Sequence, residues 1–174
     1  QSCELIIHGA RGLKAADPDL MVGTNTAGVP KAYYIYGRLH FLARVRLDYC
    51  GVDAYYGTWE AGGPERWSER IAELYELTQT KVLVNEWGYS SAGELMSPQQ
   101  QASGAYVCQH KRWRHAWGGG HTPEVQAEYV GAAFEAFRAR REMLLGAFFY
   151  RWEDQEKCWQ CGAPDCPAET AWGL

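Results

Sequence analysis

No apolar run in the sequence approaches the ~18 residues needed to span a bilayer, so no membrane partner is expected. Basic charge is also short: 17 Lys and Arg against 21 Asp and Glu leave a net charge of −4. A nucleic-acid-binding surface needs the opposite balance, so nucleic acid is not an expected partner either. Lys111, Arg112 and Arg114 do stand together, and they read as a solvated loop. No G-x-G-x-x-G phosphate turn is present, which argues against a nucleotide-binding doubly wound sheet. The first residues show no initiator Met and no secretory pattern. Gln1 leads directly into Glu4-Leu5-Ile6-Ile7, a helix already under way, and the expectation is a piece of a longer product.

What is there is ordinary globular material: 174 residues, 47% hydrophobic and 22% charged, enough for one domain with its own core. Helical and strand signals alternate along it. A first helix ends near Ala16 at Asp17-Pro18-Asp19, and Leu20 to Asn25 reads as a strand. Pro30 opens a helical stretch carrying Tyr33, Tyr34, Leu39, Leu42 and Val45, ahead of a second strand over 50–56. Pro64 starts a third helix, whose Trp67, Ile71, Leu74 and Leu77 recur at spacings of three and four, the mark of one buried face. Lys81 to Trp87 is the third strand. Residues 88–122 are rich in Gly, Ser, Pro and Gln and predict a long functional loop with a short helix inside. Thr122-Pro123-Glu124 starts another helix, with Val125, Tyr129, Val130, Ala133, Phe134 and Phe137 as its stripe, and Leu144 to Trp152 is a fourth strand. Helices alternating with continuous apolar strands imply α/β architecture: a parallel sheet with crossover helices. Four such units amount to half of a (β/α)8 barrel, which needs about 250 residues when complete.

Six cysteines are many for a reduced cytosolic enzyme. Three stand in Cys158-Trp-Gln-Cys161-Gly-Ala-Pro-Asp-Cys166, a spacing that suits zinc but lacks a second C-x-x-C. The reading adopted is therefore no metal. Two disulfides are expected among Cys108, Cys158, Cys161 and Cys166, because the loops after the third and fourth strands should emerge on one face. Cys50, within a strand, should be a free core thiol. An extracytoplasmic setting follows from disulfides.

The residue that carries chemistry is Glu86, at the C-terminal end of the apolar run Val82-Leu83-Val84-Asn85-Glu86-Trp87-Gly88-Tyr89, where barrel enzymes build their active sites. It shares strand parity with Val82 and Val84, so all three are expected to face the barrel interior. A charge there is costly unless paired or hydrogen-bonded, and so is rarely incidental.

This segment resembles the seventh strand of clan A glycoside hydrolases, where an E-x-G-Y pattern presents the nucleophile. Cys50-Gly51-Val52-Asp53-Ala54-Tyr55-Tyr56 is similar to their sixth strand, with family 113 β-mannanase-like members the nearest in look and family 5-like members close behind. Gly146 to Trp152 resembles strand eight, and Trp172-Gly173-Leu174 resembles the closing of such barrels. The resemblance implies strands five to eight of the barrel, with the N-terminal half missing. It implies a retaining hydrolase acting on O-glycosyl bonds of a β-linked poly- or oligosaccharide within a full-length parent, without a cofactor. Glu86 would be the nucleophile, Tyr55 its orienting partner with Tyr56 as fallback, and Trp152 the sugar platform. Trp87, Tyr56, Trp117 and His121 join it as substrate-binding candidates, while Trp67 belongs to the core. Glu153 and Asp154, after strand eight, either bond sugar hydroxyls or sit in a solvated turn.

Retaining hydrolysis needs a second carboxyl as acid/base. The clan carries it in an Asn-Glu pair ending strand four. Glu4 has no Asn before it, and the role is not carried over. The isolated chain is accordingly expected to be inactive. A non-catalytic carbohydrate-binding half-barrel and an inactive fragment are the alternatives.

Overall fold

Residues 2–39, 45 and 47–174 are described by the structure, a computed structural model. Helix α1 (Ser2–Ala16) leads to strand β1 (Gly23–Ala27), α2 (Val29–Gly37) to β2 (Tyr49–Asp53), and α3 (Arg66–Thr78) to β3 (Lys81–Trp87). Then come β4 (Glu94–Leu95), α4 (Pro98–Ala102), α5 (Val107–His110) and β5 (Arg112–Trp113). Helix α6 (Pro123–Arg138), a 3-10 turn (Arg141–Met143), β6 (Leu144–Phe149) and α7 (Pro167–Thr170) complete the chain. The second helical stretch was expected to carry Leu42, which lies outside the described residues, as do the other residues of 40–44 and residue 46.

The four long strands form one parallel sheet in the order β1-β2-β3-β6, with crossover helices between them, as the alternating pattern predicts. Thr24 pairs with Cys50, and Cys50 in turn with Val82. The first strand begins later than expected. Lys14 Nζ donates to the carbonyls of Pro18 (3.2 Å) and Leu20 (2.7 Å), so the chain is tied in a turn until Gly23 joins the ladder. The second strand stops sooner: Tyr55 and Tyr56 fall beyond it, in a turn where the Tyr55 carbonyl accepts both the N–H (3.2 Å) and the hydroxyl (3.0 Å) of Thr58. The expected long loop over 88–122 contains more regular structure than one short helix. Beside α4 and α5, its strands β4 and β5 pair in parallel.

The described chain divides into two compact units. The first comprises Gln1–Ala54, Trp67–Glu86 and Phe137–Phe148. Its core holds the α3 face (Trp67, Ile71 and Leu74) together with Cys50, Val52, Val82 and Val84, every one of them fully buried. Each such side chain stabilises by roughly 1.5–3 kcal/mol relative to exposure. Cys50 is the free buried thiol expected of it, and burial pushes it up to about 12. On β6 the continuous apolar run is not continuously buried. It lies at one end of the strand order, and Leu145 and Phe148 are exposed.

The second unit comprises Tyr55–Arg66, Trp87–Ala136 and Phe149–Leu174. Trp87, Tyr89, Trp113, Tyr129 and Trp172 are buried in it. Within α6 the expected residues Tyr129, Ala133 and Phe137 are buried, whereas Phe134 is exposed and Gln126 is buried, its Nε2 donating to the Tyr89 carbonyl at 2.8 Å. The hydrogen bond removes the cost of burying an amide.

Candidate functional site

Three parallel strands of the sheet unit carry polar residues: Asn25 in the middle of β1, Asp53 at the end of β2 and Glu86 next to the end of β3. The pairing between β2 and β3 shifts there, from Val52 opposite Val84 to Asp53 opposite Glu86, with Asn85 as the extra residue. Bulges of this kind re-aim side chains and are enriched beside active sites. Burial records the change. Val82 and Val84 are fully buried, whereas Asn85 and Glu86 in succession are half-buried, so the simple two-residue alternation does not run through to Glu86. Gly51 makes room for this: a Cβ on it would come within 2.8 Å of both the Asn85 amide nitrogen and the Thr24 carbonyl.

Asn25 Nδ2 donates to Asp53 Oδ2 at 2.7 Å. The other oxygen, Asp53 Oδ1, is buried without a hydrogen-bond partner among the described residues. Burial raises the Asp53 pKa, the Asn25 amide opposes the rise, and the like charge of Glu86 adds to it. Two carboxyl groups thus stand on neighbouring strand ends, one of them inclined to hold its proton. Sequence reading found Glu86 and missed Asn25 and Asp53. Asp53 lay within a quoted strand, but only the register reveals that it faces Glu86.

The remaining candidates lie in the second unit. Tyr55 is half-buried, edge-on to Trp172 (5.0 Å between ring centres) and to Tyr150 (6.1 Å), and Tyr56 is buried. Trp87 is buried between Phe134 and Phe149. Trp152 is 78% exposed. Trp117 is half-buried against Tyr129, and its backbone N–H donates to the Tyr89 hydroxyl at 2.9 Å. His121 is buried and stacked on Tyr89 at 4.8 Å, with Nδ1 3.2 Å from the Ser90 carbonyl and Nε2 2.9 Å from that of His115. Burial lowers its pKa, against the pull of those two carbonyls. Glu153 is exposed, while Asp154 Oδ1 accepts the Gly173 N–H at 2.6 Å.

An open cleft of about 430 Å³ in the same unit is lined by Thr58, Trp59, Gly104, Tyr106, Val107 and Arg114. Trp59 and Tyr106 are its exposed aromatic rings, and neither stood out in the sequence.

The cysteines depart from expectation. All six are free thiols. Cys108 Sγ lies 3.9 Å from Cys158 Sγ and 3.8 Å from Cys166 Sγ, far beyond the ~2.05 Å of a disulfide. The two disulfides expected among Cys108, Cys158, Cys161 and Cys166 are not formed. Instead the four sulfurs gather within 4.8 Å of one another, a spacing that fits one metal ion.

No family model matches the sequence, and no curated protein matches it. Solved structures do match. Beta-glucuronidase 2 of Bacteroides uniformis, covalently bound to cyclophellitol-6-carboxylate aziridine, aligns with 99% of this chain at a TM-score of 0.63 and 15% identity. A GH39 beta-xylosidase from Caulobacter crescentus aligns with 99% at 0.56 and 19%, and the Ignisphaera aggregans GH53 catalytic domain with 92% at 0.54 and 18%. The fold is similar to a portion of these TIM-barrel glycosidases: a parallel four-stranded sheet with crossover helices. The chain spans 18%, 32% and 42% of those three chains.

Proposed function

We propose that this chain supplies strands five to eight of a (β/α)8 barrel whose full-length parent hydrolyses β-glycosidic bonds with retention, with Glu86 as nucleophile. The observation that carries the reading is the position of Glu86 at the end of β3, opposite Asp53, where barrel enzymes collect their catalytic groups. The place of β6 at the end of the strand order supports a partner strand from the rest of the barrel. The likeness of Gly146 to Trp152 and of 50–56 to the clan's strands eight and six points the same way, with family 113 β-mannanase-like and family 5-like enzymes as the closest in pattern. The resemblance gives Tyr55 the role of orienting the nucleophile and Trp152 that of sugar platform. Asp53 is a positioning carboxyl: held by Asn25 and more readily protonated than a surface Asp, it limits the negative charge beside Glu86. The acid/base comes from the half of the barrel that this chain does not contain, so the isolated chain turns over little or no substrate. General acid–base assistance alone is worth ~10²–10⁴-fold.

The test uses the full-length parent and a mechanism-based fluoroglycoside that traps the glycosyl-enzyme. Peptide mapping should find the sugar ester on Glu86, and Glu86→Gln should lower kcat by about 10⁴-fold or more, the scale on which loss of one member of a catalytic set acts. Label on another carboxylate would overturn the assignment of Glu86. Sugar binding with no label and no turnover would replace hydrolysis by the carbohydrate-binding alternative.

A further inference from the structure

The cysteine cluster belongs neither to the sheet nor to the carboxylates. We propose that Cys108, Cys158, Cys161 and Cys166 bind one zinc ion as a tetrahedral tetrathiolate, which fastens the segment after β3 to the C-terminal tail.

Geometry is the first support. A zinc–sulfur bond of about 2.3 Å in a tetrahedron sets neighbouring sulfurs ~3.8 Å apart. The two separations given above are 3.8 and 3.9 Å, and no pair among the four exceeds 4.8 Å. Sulfurs this close surround a single ion. An all-sulfur tetrahedral set selects zinc or iron over the hard cations, and zinc is the usual occupant of closed four-cysteine sites.

The local backbone is the second. Cys158 and Cys161 sit on one turn, in which Cys158 N–H donates to the Ala163 carbonyl (3.0 Å) and Gly162 N–H returns to the Cys158 carbonyl (2.7 Å). Gly162 has φ +74°, a left-handed conformation that favours glycine, and it closes this turn. Cys158 and Cys166 are fully buried, packed with Met96, Val107, Trp113 and Trp172.

An ion pair joining the same two stretches is the third: Lys111, three residues after Cys108, pairs with Asp165, next to Cys166, at 2.5 and 2.7 Å. The ligands come from two stretches about fifty residues apart, Cys108 on α5 and the rest in the tail. That separation explains why the sequence shows three cysteines at metal spacing with no second half beside them.

The test uses the whole 174-residue chain, prepared under reducing conditions with zinc in the growth medium. Mass spectrometry of metals should find one zinc per chain. After chelation and removal of the chelator, cobalt(II) should titrate to one equivalent with the absorption of a tetrahedral cobalt–thiolate centre. Cys161→Ser changes the exposed ligand and should abolish zinc retention on dialysis against a mild chelator, whereas Cys3→Ser should keep it. A measurement on the unaltered chain guards against misfolding of the variant. Alkylation followed by mass mapping should find Cys108, Cys158, Cys161 and Cys166 protected with zinc and modified without it. The proposal is overturned by two disulfides among these four, by equal alkylation with and without zinc, or by iron in place of zinc.

Discussion

In the sheet unit, helices of 15, 9 and 13 residues accompany β1, β2 and β3, and burial comes from aliphatic and aromatic side chains at regular spacing. In the other unit, α6 apart, the described helices have five, four and four residues. Cohesion there comes from aromatic rings meeting edge to face, from Trp59 to Trp113 to Trp172 to Tyr55, and from polar locks such as Tyr89, Gln126 and His121. The lesson is about range. Both units need contacts across tens of residues, but in the sheet unit each helix and strand announces its buried face by local spacing, while its strands pair at a distance. The other unit has few such regular elements, and a metal is one way to hold its distant segments together.

The sharpest way to break that contrast is to take the metal away. Structural zinc in small domains contributes ~10–16 kcal/mol of apparent binding free energy, enough to decide whether a segment folds. Chelation under reducing conditions should open 88–122 and 150–174 to protease while cleavage within α3 and β3 stays slow. Equal protection of both units before and after chelation would mean that the aromatic unit stands without its ion.

A middle-sized effect tests the sheet unit. Trp67 is fully buried and meets Phe137 at 5.7 Å between ring centres. Trp67→Ala should cost about 3–5 kcal/mol in urea unfolding, the usual loss for a buried large aromatic. Trp152→Ala, at an exposed position, should shift stability by about 0.5 kcal/mol or less. If the two changes cost the same, burial is not what separates these tryptophans.

The sheet was legible in the sequence because periodicity reports on it directly. Trp67, Ile71 and Leu74 announced a buried helix face, and the run ending in Glu86 announced an interior strand with a charge at its end. The polar constellation around Glu86 was not legible, since Asn25, Asp53 and Glu86 come together only through register, and the bulge at Asn85 defeats counting by twos. The stripe of α6 was legible at Tyr129, Ala133 and Phe137 but not at Gln126, which is polar in sequence yet satisfied in the fold, and so is buried while Phe134 is exposed. The cysteines failed on distance. Cys108 stands fifty residues before Cys158, too far for a spacing rule to join them.

The smallest effect concerns Asp53, and its sign distinguishes a buried acid from a salt-bridged one. Burial, reinforced by the charge of Glu86, raises its pKa in the folded chain above the unfolded value of about 3.9. The folded state therefore binds the proton more strongly than the unfolded state does. The stability this contributes is fully present below the unfolded pKa and is lost as pH rises through the higher, folded value. Asp53→Asn mimics the protonated acid in shape, and its side chain can still accept from Asn25. Comparing the two chains, wild type should match or exceed the variant in strong acid and fall behind it as pH rises through the weakly acidic range. Unfolding midpoints at a series of pH values measure this. A wild type that gains on Asp53→Asn with rising pH would show a carboxylate stabilised in its charged form, and would remove Asp53 from the role given to it beside Glu86.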